Sequence, residues 1–255
     1  MNRFFRRVSL ILKVFMGDPL SKYSARYKSL KWLVDRSGFR LYDRGLAWPM
    51  DPDFLGIWHT FPENERVKRL IQDKLFTLYY LARSVQHIPG DIAECGVWRG
   101  YSSFAIASAL KNTPKHLHGF DSFEGLSHPA IEDRVNEDHM YKWKRHDLAV
   151  EQAVAEKNLQ SIKEMVSLYK GWIPERFSEV AEKTFCFVHI DVDLYQPTKE
   201  SVEFFYERLS PGGVLICDDY GASICPGAKQ AMDEFAEKIG RVVWHLPTGQ
   251  GVLFK

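Results

Sequence analysis

From about Glu65 to Val85 apolar residues return at helical spacing (Val67, Leu70, Ile71, Leu75, Leu78, Tyr79), and Pro89–Gly90 closes the segment. Beyond it, short apolar runs alternate with helical stretches. The runs predict strands at Ile92–Cys95, Leu117–Phe120, Met165–Tyr169, Phe185–Ile190 and Val214–Cys217, with two more at Val242–His245 and Gly251–Phe254. Helices are predicted at 102–111, 174–182, 197–208 and 226–239, and within a long stretch containing 148–159. Such alternation calls for an α/β fold, a mostly parallel sheet with helices on both faces. The run Phe185–Ile190 is nearly all apolar, as a central strand covered on both sides must be. The last two strands, joined by a turn on Pro247-Thr-Gly249, form a C-terminal hairpin that a plain dinucleotide-binding sheet does not need.

Composition narrows this picture in three ways. A chain of 255 residues with 45% apolar residues suits one such domain plus an appended segment, here divided as 1–64 and 65–255. A formal charge of +1, with 34 basic residues against 33 acidic ones, gives no electrostatic reason to expect nucleic acid. No apolar run is long enough for a transmembrane helix. The four cysteines, Cys95, Cys186, Cys217 and Cys225, lack metal-type spacing and read as free thiols of a cytoplasmic protein. Residues 1–60 are irregular, broken by Pro19, Pro49 and Pro52, with a basic amphipathic start: Arg3, Arg6, Arg7 and Lys13 interleave with Phe4, Phe5, Leu10, Ile11 and Phe15. Packing on the body or a second subunit, as in a homo-oligomer, is the favoured role of that start. Peripheral membrane contact is the next, and a cleaved signal the least favoured, because no small-residue cleavage site follows.

Candidate chemistry begins after the first strand, at Glu94-x-Gly96-x-x-x-Gly100. Glycine at 96 lets the backbone come close to a ligand, and Gly100 permits a tight turn into the helix. Ser102 and Ser103 add hydroxyls to the free N–H groups of the helix start, a seat for a carboxylate. This is not the glycine pattern of a nicotinamide site, because an acid stands where that pattern has its first glycine. A carboxylate there repels pyrophosphate but suits the ammonium and sulfonium of S-adenosyl-L-methionine. Asp121, 27 residues past Glu94 at the tip of the second strand, is placed to reach ribose hydroxyls, with Ser122 and Phe123 on the adenine side. Loop capping is the plainer role for that aspartate.

Two acidic pairs end neighbouring strands: Asp191-x-Asp193 after the fourth and Asp218-Asp219 after the fifth. Asp191, Asp218 and Asp219 are expected to converge where ligands bind such a sheet. Three ionised carboxylates that close need a cation, and an all-oxygen set points to Mg²⁺ or Mn²⁺. A metal-held hydroxyl is a better nucleophile, and Asp193 is placed to take its proton. His139, in the insertion 125–147, is a rival base ranked below it.

Together these segments resemble the macrocin O-methyltransferase family. The resemblance is carried by Gly90-Asp-Ile-Ala-Glu-Cys-Gly-Val-Trp-Arg-Gly100, Gly119-Phe-Asp-Ser-Phe-Glu-Gly-Leu126, Tyr169-Lys-Gly-Trp172 and His189-Ile-Asp-Val-Asp-Leu-Tyr195. Pro211-Gly-Gly213 and Asp218-Asp-Tyr220 complete it, over roughly residues 65–255. It implies a class I methyltransferase Rossmann-like sheet, whose mark is an antiparallel last strand, and an S-adenosylmethionine- and Mg²⁺-dependent sugar O-methyltransferase, usually oligomeric. It implies Asp191, Asp218 and Asp219 as metal ligands and Asp193 as base. Glu94, Gly96, Tyr101, Ser102, Asp121, Ser122, Trp172 and Asp191 fall at cofactor positions. The helix here begins Gly100-Tyr-Ser-Ser, where many relatives carry a second glycine. A saccharide or other small-molecule acceptor is expected, its pocket shaped in part by the N-terminal segment, with a phenolic hydroxyl second. A glycosyltransferase using Asp191-x-Asp193 and a partner-binding scaffold are the competing readings. Neither accounts for Glu94 in the glycine loop.

Overall fold

The computed structural model describes residues 51–62, 71–135 and 142–255. The basic amphipathic start, the first turns of the helix expected from Glu65, and His139 lie outside these residues. The chain divides after His59 into two units. In the first, helix α1 (Pro52–Trp58) is started by Asp51, whose Oδ1 accepts the Phe54 N–H at 2.7 Å, with proline in the first turn. Phe54 and Trp58, four residues apart, stack with ring centres 6.1 Å apart.

The second unit holds the sheet. Its elements are α2 (Gln72–Ser84), β1 (Asp91–Cys95), α3 (Tyr101–Ala109), β2 (Leu117–Asp121), α4 (Gln152–Asn158), β3 (Val166–Lys170), β4 (Phe185–Ile190), α5 (Tyr195–Arg208), β5 (Leu209–Cys217), α6 (Pro226–Lys238), β6 (Trp244–His245) and β7 (Gly251–Phe254). The strand order is β3-β2-β1-β4-β5-β7-β6. The first five strands run parallel, and β7 slots antiparallel between β5 and β6, so the expected fold and its C-terminal hairpin are borne out. Every residue of β4, at the centre, is buried.

Alternation divides the core between two faces. Ala93 and Cys95 of β1 join Val188 and Ile190 of β4 under α5 and α6, packed with Val202, Phe205, Met232 and Phe235. Phe205 lies 5.8 Å from Phe120, 5.2 Å from Phe185 and 4.8 Å from Phe177, mostly edge to face. The intervening residues Glu94 and His189 face the other way, toward α3, whose Ser103 bonds Glu94. α3 is buried along seven of its nine residues, so it carries no clear amphipathic stripe.

Some elements differ from the sequence pattern. Segment 174–182 holds only a 3₁₀ turn, Phe177–Val180, because Phe177 and Val180 both point into the core and that i, i+3 spacing fits one 3₁₀ turn. The strand expected from Val242 begins at Trp244, with Val242 left 87% exposed. No helix among the described residues is long and apolar enough to cross a membrane.

Candidate active site

All the chemistry collects at the C-terminal edge of the parallel strands. A cavity of about 430 Å³ opens there, a volume suited to one nucleoside-sized ligand. Its wall includes Gly96 and Trp98 from the loop after β1, Asp121 and Ser122 after β2, Trp172 after β3, and Asp191 and Asp193 after β4. Three non-glycine wall residues hold left-handed backbone, Trp98 (φ 47°), Leu148 (φ 65°) and Asp193 (φ 59°), the kind of strain that gathers at working sites.

The glycine loop serves the sheet as much as any ligand. Gly96 has φ 87°, and a Cβ there would lie 1.8 Å from the Asp191 carbonyl oxygen. The close approach that requires glycine is therefore to the end of β4, a neighbour that the motif does not reveal. Gly100 (φ 84°) turns the chain into α3 against Leu159. Asp121 spans the first two loops: its Oδ2 accepts the Val97 and Trp98 N–H groups at 2.8 and 2.7 Å, and Oδ1 accepts that of Phe123 at 2.6 Å. Burial raises its pKa despite these three bonds. It thus caps its loops and also faces the cavity. Ser122 closes the next turn, donating to the Gly125 carbonyl at 3.0 Å.

Three residues expected on the cofactor, Glu94, Tyr101 and Ser102, are buried and do not line this cavity. Tyr101 packs on Trp98 and Phe61, with ring centres 5.7 and 4.9 Å away. Glu94 is fully buried, held by the Ser103 hydroxyl and by His189 Nδ1 at 2.9 Å. An acid two residues before a glycine signals a loop, but not which way its side chain faces.

The aspartates do converge. Asp191, Asp218 and Asp219 each bring a carboxylate oxygen within 4.8 Å of the others, because β4 and β5 are hydrogen-bonded neighbours whose ends coincide. Asp193, Asp219 and Cys225 form a second such group beside them. Burial and the charges of Asp218 and Asp219 raise the Asp191 pKa well above the usual range. Burial and Asp218 lift Asp219 to about 6. Burial and Asp219 likewise raise Asp193, whose Oδ1 stands 3.6 Å from Cys225 Sγ. Asp218 alone is held well below the usual range: burial raises it, but His189 and Lys74 outweigh that.

Those partners escaped the sequence reading. Lys74 of α2 reaches Asp218 Oδ2 at 2.6 Å and its carbonyl at 3.1 Å. Gln250 Nε2 donates to Asp218 Oδ1 at 2.7 Å. His189 Nε2 stands 3.6 Å from the same oxygen, fully buried and with no hydrogen-bond partner among the described residues. Burial lowers the imidazole's pKa, but the facing Asp218 and Glu94 carboxylates raise it to about 10. A lone histidine in an apolar strand was the available signal; a lysine on a helix face carries none. With Lys74 and His189 both committed to Asp218, Asp191, Asp193 and Asp219 repel one another. Such a cluster of hard oxygen donors fits a dication.

The profile of the macrocin O-methyltransferase (TylF) family matches residues 68–243. Demethyldecarbamoylnovobiocin O-methyltransferase of Streptomyces niveus is 28% identical over 243 residues, 91% of this chain and 85% of that one. Mycinamicin III 3''-O-methyltransferase of Micromonospora griseorubida is 26% identical over 60% of this chain and 63% of its own. Among solved structures, the O-methyltransferase NovP superposes with a TM-score of 0.57 at 25% identity, covering 71% of this chain and 79% of that chain. Calicheamicin methyltransferase CalS11 superposes with a TM-score of 0.61 at 19% identity, covering 84% and 98% respectively, and shares the fold. These matches decide against a glycosyltransferase. With a class I methyltransferase sheet and this cluster at its edge, the chain belongs to the macrocin O-methyltransferase family and is an O-methyltransferase.

Proposed function

We propose that this enzyme methylates a sugar hydroxyl using S-adenosylmethionine, with a divalent metal, Mg²⁺ or Mn²⁺, held by Asp191, Asp218 and Asp219. The single observation carrying the metal is the convergence of three carboxylates within 4.8 Å at the rim of the cavity. The sugar acceptor rests on the relatives, one of which, from Streptomyces olivaceus, is an 8-demethyl-8-(2,3-dimethoxy-alpha-L-rhamnosyl)-tetracenomycin-C 4'-O-methyltransferase. When bound, the cofactor supplies an electrophilic methyl group and the dication acidifies and orients the acceptor hydroxyl.

The chain's own residues do the rest. Asp121, Ser122 and Trp172, which line the cavity, would hold the cofactor, while Asp191 borders both the cavity and the carboxylate cluster. Asp193 sits on that shared border with its backbone N–H on Asp219 Oδ2 at 3.2 Å, which fixes its loop. Burial and the Asp219 charge make it a stronger base than an ordinary aspartate, and it accepts the acceptor's proton. Holding cofactor and acceptor on adjacent strand ends gives the close approach an in-line transfer needs.

The test is the isosteric change Asp191→Asn, with calorimetry against S-adenosylhomocysteine and UDP-sugars. The proposal expects product-cofactor binding within about threefold of wild type and loss of metal-stimulated methyl transfer on the order of 10²-fold or more. Wild-type binding of a UDP-sugar alone would remove the methyltransferase assignment of this cavity.

A further inference from the structure

We infer that Glu94 and His189 are a positioning dyad for the metal ligand Asp218, and that Glu94 does not touch the cofactor. The inference rests on the metal reading above and deepens it.

The two residues are direct register partners on adjacent parallel strands, β1 and β4, and both are fully buried. Burying a carboxylate or an imidazole in a sheet interior is costly unless each is paired. Glu94 spends both oxygens inward: Oε2 takes the Ser103 hydroxyl of α3, and Oε1 takes His189 Nδ1–H at 2.9 Å. Neither oxygen is directed to the cavity, whose wall excludes Glu94. Because the carboxylate can only accept here, His189 donates from Nδ1, and this bond sets the plane of the ring.

The ring then aims Nε2 at Asp218 Oδ1, 3.6 Å away. That nitrogen is buried with no hydrogen-bond partner among the described residues, so its orientation is imposed from the Glu94 end. Gln250 grips the same Asp218 oxygen and Lys74 the other, so the carboxylate is oriented from both sides. An acid–imidazole pair behind a metal-binding group is a recurrent way to fix its direction and tune its affinity. Here a line of polar contacts runs from the first turn of α3 through β1 and β4 to the tip of β5.

The test measures two affinities in full-length protein: Mn²⁺ by electron paramagnetic resonance of the free ion, and S-adenosylhomocysteine by calorimetry. Glu94→Gln and His189→Gln are each expected to weaken Mn²⁺ binding about 10- to 100-fold while S-adenosylhomocysteine binding stays within about threefold. If Glu94→Gln does not fold, Ser103→Ala removes the hydroxyl on Glu94 and is expected to weaken Mn²⁺ about threefold or more with the same selectivity. Weakened S-adenosylhomocysteine binding with unchanged Mn²⁺ affinity places Glu94 on the cofactor and overturns the inference. So do parallel losses of both, which mark general structural support, and no change in either. Wild-type protein that binds S-adenosylhomocysteine but no Mn²⁺ defeats the metal reading itself. Wild-type Mn²⁺ binding with unaltered variants defeats the dyad alone.

Discussion

Replacing Gly96 by alanine tests how the glycine loop is built into the metal-binding edge. The new Cβ would lie 1.8 Å from the Asp191 carbonyl oxygen, against an ordinary carbon–oxygen contact of about 3.3 Å. The ends of β1 and β4 must part by over an ångström to relieve it. That motion pulls on two bonds of the same loop, Gly96 N–H to the Phe120 carbonyl and Asp191 N–H to the Cys95 carbonyl, each 2.8 Å. Left-handed backbone costs a non-glycine residue about 1–2 kcal/mol, and weakening buried hydrogen bonds adds about 1–3 kcal/mol. The expected loss is about 2–5 kcal/mol, or roughly 4–20 °C in Tm for a protein of this size. Gly249→Ala is the control: it also has positive φ (88°), but its Cβ meets nothing within 4 Å, so only the backbone cost remains, about 1–2 kcal/mol. Differential scanning calorimetry of both variants, with chelator and with Mn²⁺, separates the two costs. Mn²⁺ should stabilise Gly96→Ala less than wild type, because Asp191 has moved. Equal Tm losses in the two variants would refute the close-approach argument.

Three further outcomes follow from the same geometry. Asp193→Asn should lower kcat about 10²- to 10⁴-fold in steady-state assays while Mn²⁺ and S-adenosylhomocysteine affinities stay near wild type; a variant that keeps its kcat has its base elsewhere. Lys74→Met leaves a buried Asp218 charge short of its cation, so chelated protein should lose about 3 kcal/mol in urea unfolding, part of it restored by Mn²⁺; an unchanged midpoint would make that ion pair idle. Asp219 sits at about 6 in the fold against 3.8 for an ordinary aspartate, so the folded chain keeps a proton there that the unfolded chain has lost. Relative to Asp219→Asn, the chelated wild type should therefore lose Tm as pH rises from about 4 to about 6, and saturating Mn²⁺ should remove that slope; a relative Tm that rises across this window contradicts the crowding.

What the sequence made legible is what depends on pattern along the chain. The apolar run Phe185–Ile190 could only be a central strand, and the hairpin after Val242 distinguished this sheet from a dinucleotide-binding one. The acidic pairs were legible because strand ends are predictable and neighbouring ends in a parallel sheet share an edge. Directions across the chain were not. Whether Glu94 faces ligand or sheet depends on alternation from a start point that one residue of register reverses, and its partner His189 lies 95 residues away. Lys74 reads as a solvated helix charge until α2 is laid beside β5. Gly96 carried the right signal for the wrong neighbour: the close approach is to the Asp191 backbone.

Metal-dependent methyl transfer to a sugar hydroxyl can be read directly from the enzyme's products. The enzyme is incubated with S-adenosylmethionine and a panel of deoxysugar glycosides and simple phenols, with Mg²⁺, Mn²⁺ or excess chelator, and products are read by mass spectrometry. The expected result is a single methyl gain on a glycoside, abolished by chelator, restored by either metal and lost in Asp191→Asn. A methyl gain that persists undiminished in chelator, or one confined to the phenols, would contradict it.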